Sequence, residues 1–234
     1  MKSVAIVQSN YIPWKGYFDL IARVDELVLY DDVQYTRRDW RNRNRIKTAQ
    51  GVAWLTVPIQ VRGRYHQRID EALVSDPGWA KRHWQTLAHA YGAAPYFYDY
   101  RDVFASLYEE CSKEQRLSVI NRRFIEVVCG VLGLKTAIRW SSEYDASGSK
   151  TRRLLAICRQ AEANEYVTGP AARTYLDEAC FANAGIEVVW MDYSGYREYA
   201  QLHPPFDHQV TVLDLIFNTG TDALRYMKAA SLVA

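Results

Sequence analysis

Gln8, Asn10, Tyr11, Trp14 and Tyr17 crowd one short segment, Gln8-Ser-Asn-Tyr-Ile-Pro-Trp-Lys-Gly-Tyr-Phe-Asp19, directly behind the apolar run Val4-Ala-Ile-Val7. Amides and phenols bring hydrogen-bonding atoms, and the rings bring flat stacking surface, a combination that suits a sugar-like or ring-bearing ligand. The apolar run has the length of a buried strand, and Phe18, Ile21 and Ala22 start a helical period after the loop. The carboxyl end of a strand in an α/β sheet is where ligands usually bind. A structural loop needs turn residues such as Pro13 and Gly16 there, but not this density of amides and aromatics; the competing reading is a pair of aromatics capping a core.

A second polar segment follows the next apolar run, Glu26 to Tyr30: Asp31-Asp32, then Arg37, Arg38, Arg41, Arg43, Arg45 and Lys47, with Trp40, Asn42 and Asn44 between them. Paired aspartates can orient a cation or a sugar hydroxyl, or take a proton from an attacking amine. Guanidinium forks suit phosphate or carboxylate. A charge run is usually a solvated surface, but interleaved Trp and Asn belong more to pockets. RNA is disfavoured, because a net charge of +2 supplies no electrostatic footprint.

Two further segments are candidate anion cradles: Ser149, Lys150 and Thr151 before one helix, and Gly169, Pro170, Ala171 and Ala172 between a strand and a helix. Helix N-termini present free amides and a positive dipole end; ordinary capping explains these residues equally well. Neither segment has Walker or GxGxxG spacing. His203, in His203-Pro-Pro-Phe-Asp-His208 behind Tyr193, Tyr196 and Tyr199, is a general-base candidate. His83 and His89 sit among Trp79, Trp84 and Leu87 at helical spacing and read as structural. No histidine pair has zinc spacing with a third ligand, so no metal site is expected. Neither GxSxG nor a Cys-His dyad is present.

The elements that must position these groups follow from periodicity. A βαβ unit, strand Val4 to Gln8, helix Phe18 to Arg23 and strand Glu26 to Tyr30, predicts a parallel pair. Ala53 to Pro58 alternates like a strand. From Pro77 to Leu134 apolar residues recur at three and four, which predicts helices ending at Gly130 and Gly133. Strand Ala137 to Trp140, a helix around Leu154, strand Glu165 to Thr168, a helix and strand Ile186 to Met191 form the second half. The predicted fold is α/β, a mainly parallel three-layer Rossmann-like sheet with a helical insert. It is one domain over residues 1–234, with a first βαβ half at 1–64, the insert at 65–134 and a second α/β half at 135–234.

At 234 residues the chain can bury a full core. No apolar segment approaches the roughly 20 residues of a membrane span, and Met-Lys-Ser leads into a strand and not a signal peptide. Cys111, Cys129, Cys158 and Cys180 are widely spaced with no CxxC pair, which disfavours disulfides and points to the cytoplasm. The 17 Tyr and 7 Trp are clustered in loops more than at core spacing, in keeping with a ligand pocket.

The run QSNYIPWKGYFDLI, followed by DELVLYDDVQYTRRDWRNRNRIK, resembles the WbqC-like family of bacterial proteins. Trp54-Leu-Thr-Val-Pro58, Ala94-Pro-Tyr-Phe97, Tyr166-Val-Thr-Gly-Pro170 and Val212-Leu-Asp-Leu215 continue the likeness over essentially the whole chain. The resemblance implies a part in O-antigen or other surface-glycan biosynthesis. The expected function is a cytoplasmic transferase tailoring an amino sugar or nucleotide-linked amino sugar, by acyl or aminoacyl transfer to an amine. Asp31 or Asp32 would orient or deprotonate the amine, Arg41 to Lys47 would hold a phosphate or carboxylate, and Gln8, Tyr11 and Trp14 would floor the pocket. Trp14-Lys-Gly-Tyr17 is also similar in position to the HxGH signature of the nucleotidylyltransferase and pantothenate synthetase group, with both histidines replaced. That likeness implies an alternative, a nucleotide-dependent ligase or nucleotidylyltransferase with Lys47 or Lys150 on phosphates and magnesium on Asp32. A non-catalytic sugar-binding or assembly protein is the third reading. The expected cofactor is a nucleotide or nucleotide-sugar, with magnesium only under the ligase reading.

Overall fold

Neighbouring residues on a strand point to opposite faces of a sheet, and this alternation sorts the core into two layers. Val4, Ile6, Val28 and Tyr166 face one side, packed on Leu154, Ile157, Cys158 and Phe181. Ala5, Leu27, Leu29 and Val167 face the other, in a larger cluster with Phe18, Ile21, Phe124 and Ile125. The computed structural model describes residues 1–148 and 150–231. In chain order these form β1 (Ser3–Val7), α1 (Lys15–Ala22), β2 (Glu26–Leu29), β3 (Arg43–Thr48), β4 (Gly51–Thr56), α2 (Trp79–Tyr91), α3 (Phe97–Cys111) and α4 (Leu117–Leu132). They continue with β5 (Ala137–Trp140), α5 (Thr151–Gln160), β6 (Glu165–Thr168), α6 (Glu178–Ala182), β7 (Glu187–Trp190) and α7 (Val212–Thr219).

The main sheet has the order β5-β2-β1-β6-β7, parallel throughout. It is a three-layer, Rossmann-like α/β fold. The chain builds outward from β1 to β2 and β5, then crosses back to β6 on the other flank of β1. The switch of direction therefore falls between β1 and β6, and the crevice above their carboxyl ends is the usual ligand position in such sheets.

The polar stretch before Lys47, which reads in sequence as a loop, contains β3. It pairs antiparallel with β4 in a separate two-stranded ribbon, Arg45 opposite Trp54. Charge conceals the strand: Arg41, Arg43 and Arg45 are partly exposed while Asn42, Asn44 and Ile46 are buried, so the period of two runs between two classes of polar residue. The α1 helix begins at Lys15 and not at Phe18, with Lys15 through Ile21 all buried. A helix buried all round has no apolar stripe to mark its start. In the middle third, Trp79, Leu87, Phe104, Tyr108, Leu117, Ile120 and Phe124 share the larger core. The α4 helix stops at Gly133, whose φ of 70° is the left-handed closing conformation that glycine adopts freely. No described helix is long and apolar enough to cross a membrane.

Candidate functional site

Beyond β1 the backbone is pinned from several directions. Ser9 N–H donates to Asp31 Oδ1 (2.8 Å), Tyr11 N–H donates to Trp40 O (3.0 Å), and Val212 N–H donates to Pro13 O (2.9 Å). Ile12, fully buried, has a φ of 37°, a conformation that β-branched residues avoid at a cost of about 1–3 kcal/mol. Asn44 of β3 holds it there: its Nδ2 donates to the carbonyls of Tyr11 (3.1 Å) and Ile12 (2.9 Å). A Cβ at Gly16 would lie 2.4 Å from the Trp14 indole, so glycine lets that ring lie back across the start of α1.

The pinned loop forms one wall of a cavity of about 550 Å³, to which it contributes Asn10, Pro13 and Trp14. Trp40 and Asn44 come from the segment after β2, Tyr193, Gly195 and Tyr196 from the chain after β7, and His208 and Gln209 from the approach to α7. Trp14 meets Tyr193 and Tyr196 edge-on, with ring centroids 5.3 and 5.8 Å apart. Among the described residues, two members of this lining each hold a buried polar atom without a hydrogen-bond partner: Asn10 Oδ1 and His208 Nδ1. An unmet buried polar atom costs about 1–3 kcal/mol.

The electrostatics beside the cavity are shaped by Lys15. Its side chain is buried, with Nζ 3.3 Å from Arg197 O and 4.6 Å from the Tyr196 ring centre. Burial lowers its pKa to about 8, although Asp19 and Asp214 pull the other way. Burial, followed by the Lys15 charge, pushes His208 below the ordinary histidine value, against the pull of Glu198 and Asp207. The net effect favours the neutral imidazole, and its Nδ1 has no hydrogen-bond partner among the described residues. Burial raises the Tyr193 phenol to about 12, so it stays protonated.

A second cavity of about 570 Å³ adjoins the first and shares Trp40 and Gln209 with it. Arg38, Asp39, Arg43, Arg45, Val52 and Trp54 complete its lining.

Of the residues singled out in the sequence, Asn10, Trp14, Trp40 and Asn44 lie on the first cavity and Arg38, Trp40, Arg43 and Arg45 on the second. The rest lie elsewhere. Gln8 stands at the end of β1, where its carbonyl accepts the Tyr17 hydroxyl (3.2 Å). Tyr11 is fully buried, its hydroxyl 2.6 Å from that of Tyr108 and 2.9 Å from His83 Nδ1, under the helical insert. Burial lowers His83 to about 4, so this knot is uncharged. Asp31 is 1% exposed, and desolvation raises its pKa to about 6 against the Ser9 hydrogen bond and the Arg41 charge. Asp32 is ion-paired to Arg153 and accepts the Ser141 hydroxyl (2.6 Å). The Arg41 carbonyl accepts from Asn121 (2.9 Å), and its guanidinium lies 3.6 Å from Asp39.

Arg37 donates to Val61 O (2.7 Å) and Asn42 to Val57 O (2.8 Å). Buried Lys47 donates to Pro205 O, and His203 Nε2 donates to Ala90 O (2.9 Å). Lys150 is exposed at the start of α5, and the Thr151 hydroxyl is engaged by Tyr175 O and Asp177 N–H. Pro170, Ala171 and Ala172 form a 3₁₀ turn in which Ala172 N–H donates to Gly169 O (3.1 Å), and a Cβ at Gly169 would lie 3.6 Å from the Tyr193 ring. Ser149 lies outside the described residues. No group of three or more His, Cys, Asp or Glu among the described residues is arranged to hold a metal ion.

His208, Tyr193, Tyr196 and Trp54 were not among the sequence candidates. The carboxyl-edge rule applied to β7, as it was to β1, points to the tyrosines. Nothing local distinguishes His208 from His203.

The WbqC-like protein family matches over residues 8–226. A protein of Mycobacterium tuberculosis (strain H37Rv) described as uncharacterized protein Rv1507c is 53% identical over 228 residues, 97% of this chain and 98% of the relative. No solved structure gives a significant match.

Proposed function

The chain belongs to the WbqC-like protein family, and from that premise we propose that it is a cytoplasmic transferase tailoring an amino sugar, free or nucleotide-linked, in surface-glycan biosynthesis. The reaction is acyl or aminoacyl transfer to the sugar amine. The observation that carries the reading is the pair of unmet buried atoms, Asn10 Oδ1 and His208 Nδ1, in an aromatic cavity above the switch point of the sheet. Trp14, Tyr193 and Tyr196 offer faces and edges to the C–H surface of a sugar ring. Asn10 accepts from a hydroxyl or amine of that ring.

His208 takes the role of proton acceptor, in place of the aspartates after β2. The sugar nitrogen attacks the carbonyl of an activated acyl donor such as a thioester. The new C–N bond forms, the bond to sulfur breaks, and the proton on nitrogen passes to His208 Nδ1. An acceptor for this step must be unprotonated at working pH, and burial together with the Lys15 charge shifts His208 toward that form. Asp32 is already neutralised by Arg153, and Asp31 lines neither cavity.

The test is a binding and turnover panel. Glucosamine and nucleotide-linked amino hexoses should raise the melting temperature of the wild type, and acyl thioesters should then give an acylated sugar by mass spectrometry. Asn10→Ala should weaken sugar binding about tenfold, the worth of one well-made hydrogen bond to a buried acceptor. His208→Gln should retain binding and lose turnover. Binding with no turnover under any donor would leave a sugar-binding protein; absence of any shift with amino sugars would remove the sugar reading altogether.

A further inference from the structure

The two faces of the β3–β4 ribbon have different partners. One face carries Asn44 and Ile46, both buried, and Asn44 clamps the β1–α1 loop. The other carries Arg43, Arg45 and Trp54. On that outer face Trp54 is 45% exposed and Trp40 39% exposed, with ring centroids 5.4 Å apart and planes inclined by 39°. The Arg43 guanidinium lies 4.2 Å from the Trp54 ring centre, and its Nε is buried without a partner. Arg38 stands at the rim in the left-handed region, φ 56°. Neither Arg38 nor Arg43 forms an ion pair among the described residues, whereas Arg45 is held by Asp207 (2.7 Å) and Gln209 (3.1 Å).

Packing alone does not call for this arrangement, since both indoles keep a substantial part of their surface in water. An open pair of indoles with two unpaired guanidinium groups joins two recognition chemistries: stacking on a flat π-face, and forked donation to an anion. The cavity they line, about 570 Å³, has the size of a site for one small molecule and not of a groove that tracks a strand. Trp40 and Gln209 belong to both cavities, so one ligand can span the two.

We propose that the second cavity binds the nucleoside diphosphate part of a nucleotide-linked sugar, with the base on Trp54 and Trp40 and the phosphates on Arg38 and Arg43. This rests on the sugar-cavity reading above and adds the substrate class: the sugar arrives attached to a nucleotide. A lipid diphosphate would use the arginines and leave the indoles without a ring to stack on. A nucleic-acid strand would need more stacking positions than two.

The experiment is calorimetric titration of the full chain with uridine diphosphate, thymidine diphosphate and guanosine diphosphate, and with uridine and inorganic pyrophosphate as the separated halves. At least one nucleoside diphosphate should bind tenfold or more tightly than either half. Trp54→Ala, at an exposed position, should weaken that binding about tenfold or more. Arg43→Gln should do the same, with unchanged circular dichroism. Asn10→Ala should leave nucleoside diphosphate binding as it is while weakening glucosamine. Pyrophosphate binding as tightly as the nucleotides, an unaffected Trp54→Ala, or an oligonucleotide outcompeting the nucleotides would each overturn the proposal. Glucosamine binding with no nucleotide binding would sink this inference and leave the sugar cavity standing. Nucleotide binding with no amino-sugar response would do the reverse.

Discussion

The loops that leave β1 and β2 start from neighbouring strand ends with equally polar residues, and they put them to different uses. After β1, Asn10 and Trp14 turn into a cavity, and Asn10 keeps an acceptor unmet. After β2, Asp31 accepts the Ser9 N–H and Asp32 joins Arg153 and Ser141. Successive residues at a strand end point to opposite faces. Asp31 therefore falls to the layer of Ser9 and Asn121, which donates to the Ser9 hydroxyl (2.9 Å), and Asp32 to the layer of α5. Two aspartates adjacent in sequence are thus separated by the sheet itself. Polarity at a strand end does not by itself mark a cavity wall: Asn10 and Trp14 line the first cavity, whereas Asp31 and Asp32 line neither. Asp31 Oδ2 also lacks a partner, but Asp31 lines neither cavity, and its burial favours the protonated acid.

Asp32→Ala gives the largest effect expected from this contrast. It leaves Arg153, whose side chain is 17% exposed, without its counter-ion, and should lower unfolding stability by about 3 kcal/mol. Ligand binding by the folded protein should persist. A urea midpoint close to wild type, with binding lost, would move Asp32 back to the ligand site.

Asn44→Ala tests the other loop. Without the two hydrogen bonds that hold Ile12 in the left-handed region, stability should fall by about 2 kcal/mol, and amino-sugar binding should weaken with it because Asn10 and Trp14 are carried on the same turn. Full binding in a destabilised variant would show that the turn and the cavity wall are independent.

Asp31→Asn should act through pH. The folded protein holds the Asp31 proton up to about pH 6, the unfolded chain only to about 3.8. Between those values the folded state binds more protons, so this group's contribution to stability falls as pH rises and levels off above about 6. The variant lacks that slope, so denaturant melts at several pH values should show it gaining on the wild type from about pH 4 to pH 6. A constant difference across that window would mean the carboxyl group is not desolvated in the folded protein.

Lys150→Ala should have the smallest effect. The side chain is exposed at the start of α5, and a surface substitution of this kind falls within about 0.5 kcal/mol. Nucleotide titration should also be unchanged; a tenfold loss of affinity would restore an anion site at that helix start.

Most of the architecture was readable along the chain because period and punctuation are local. Val4 to Val7 is a short apolar run, and Glu165–Thr168 and Ala137–Trp140 stand out as strands. Leu117, Ile120, Phe124 and Val127 repeat at helical spacing, and the helix ends at Gly133. The β3 strand escaped because its inward residue, Asn44, is as polar as its outward neighbours, a choice that makes sense only once Asn44 is seen holding the carbonyls of Tyr11 and Ile12.

The candidate site divides along the same line. Residue types determined that the β1–α1 loop is rich in ring-binding chemistry and that the Arg37 to Lys47 segment is rich in anion-binding chemistry. The tertiary structure decided which of those groups keep that capacity. Arg153 reaches Asp32 from 121 positions away, Pro205 takes up Lys47 from 158, and His208, nearly 200 positions from Asn10, comes to the same cavity with a nitrogen unmet. A side chain's chemistry is set by its type, but whether its hydrogen bonds and charge are already satisfied depends on neighbours that only folding brings within reach.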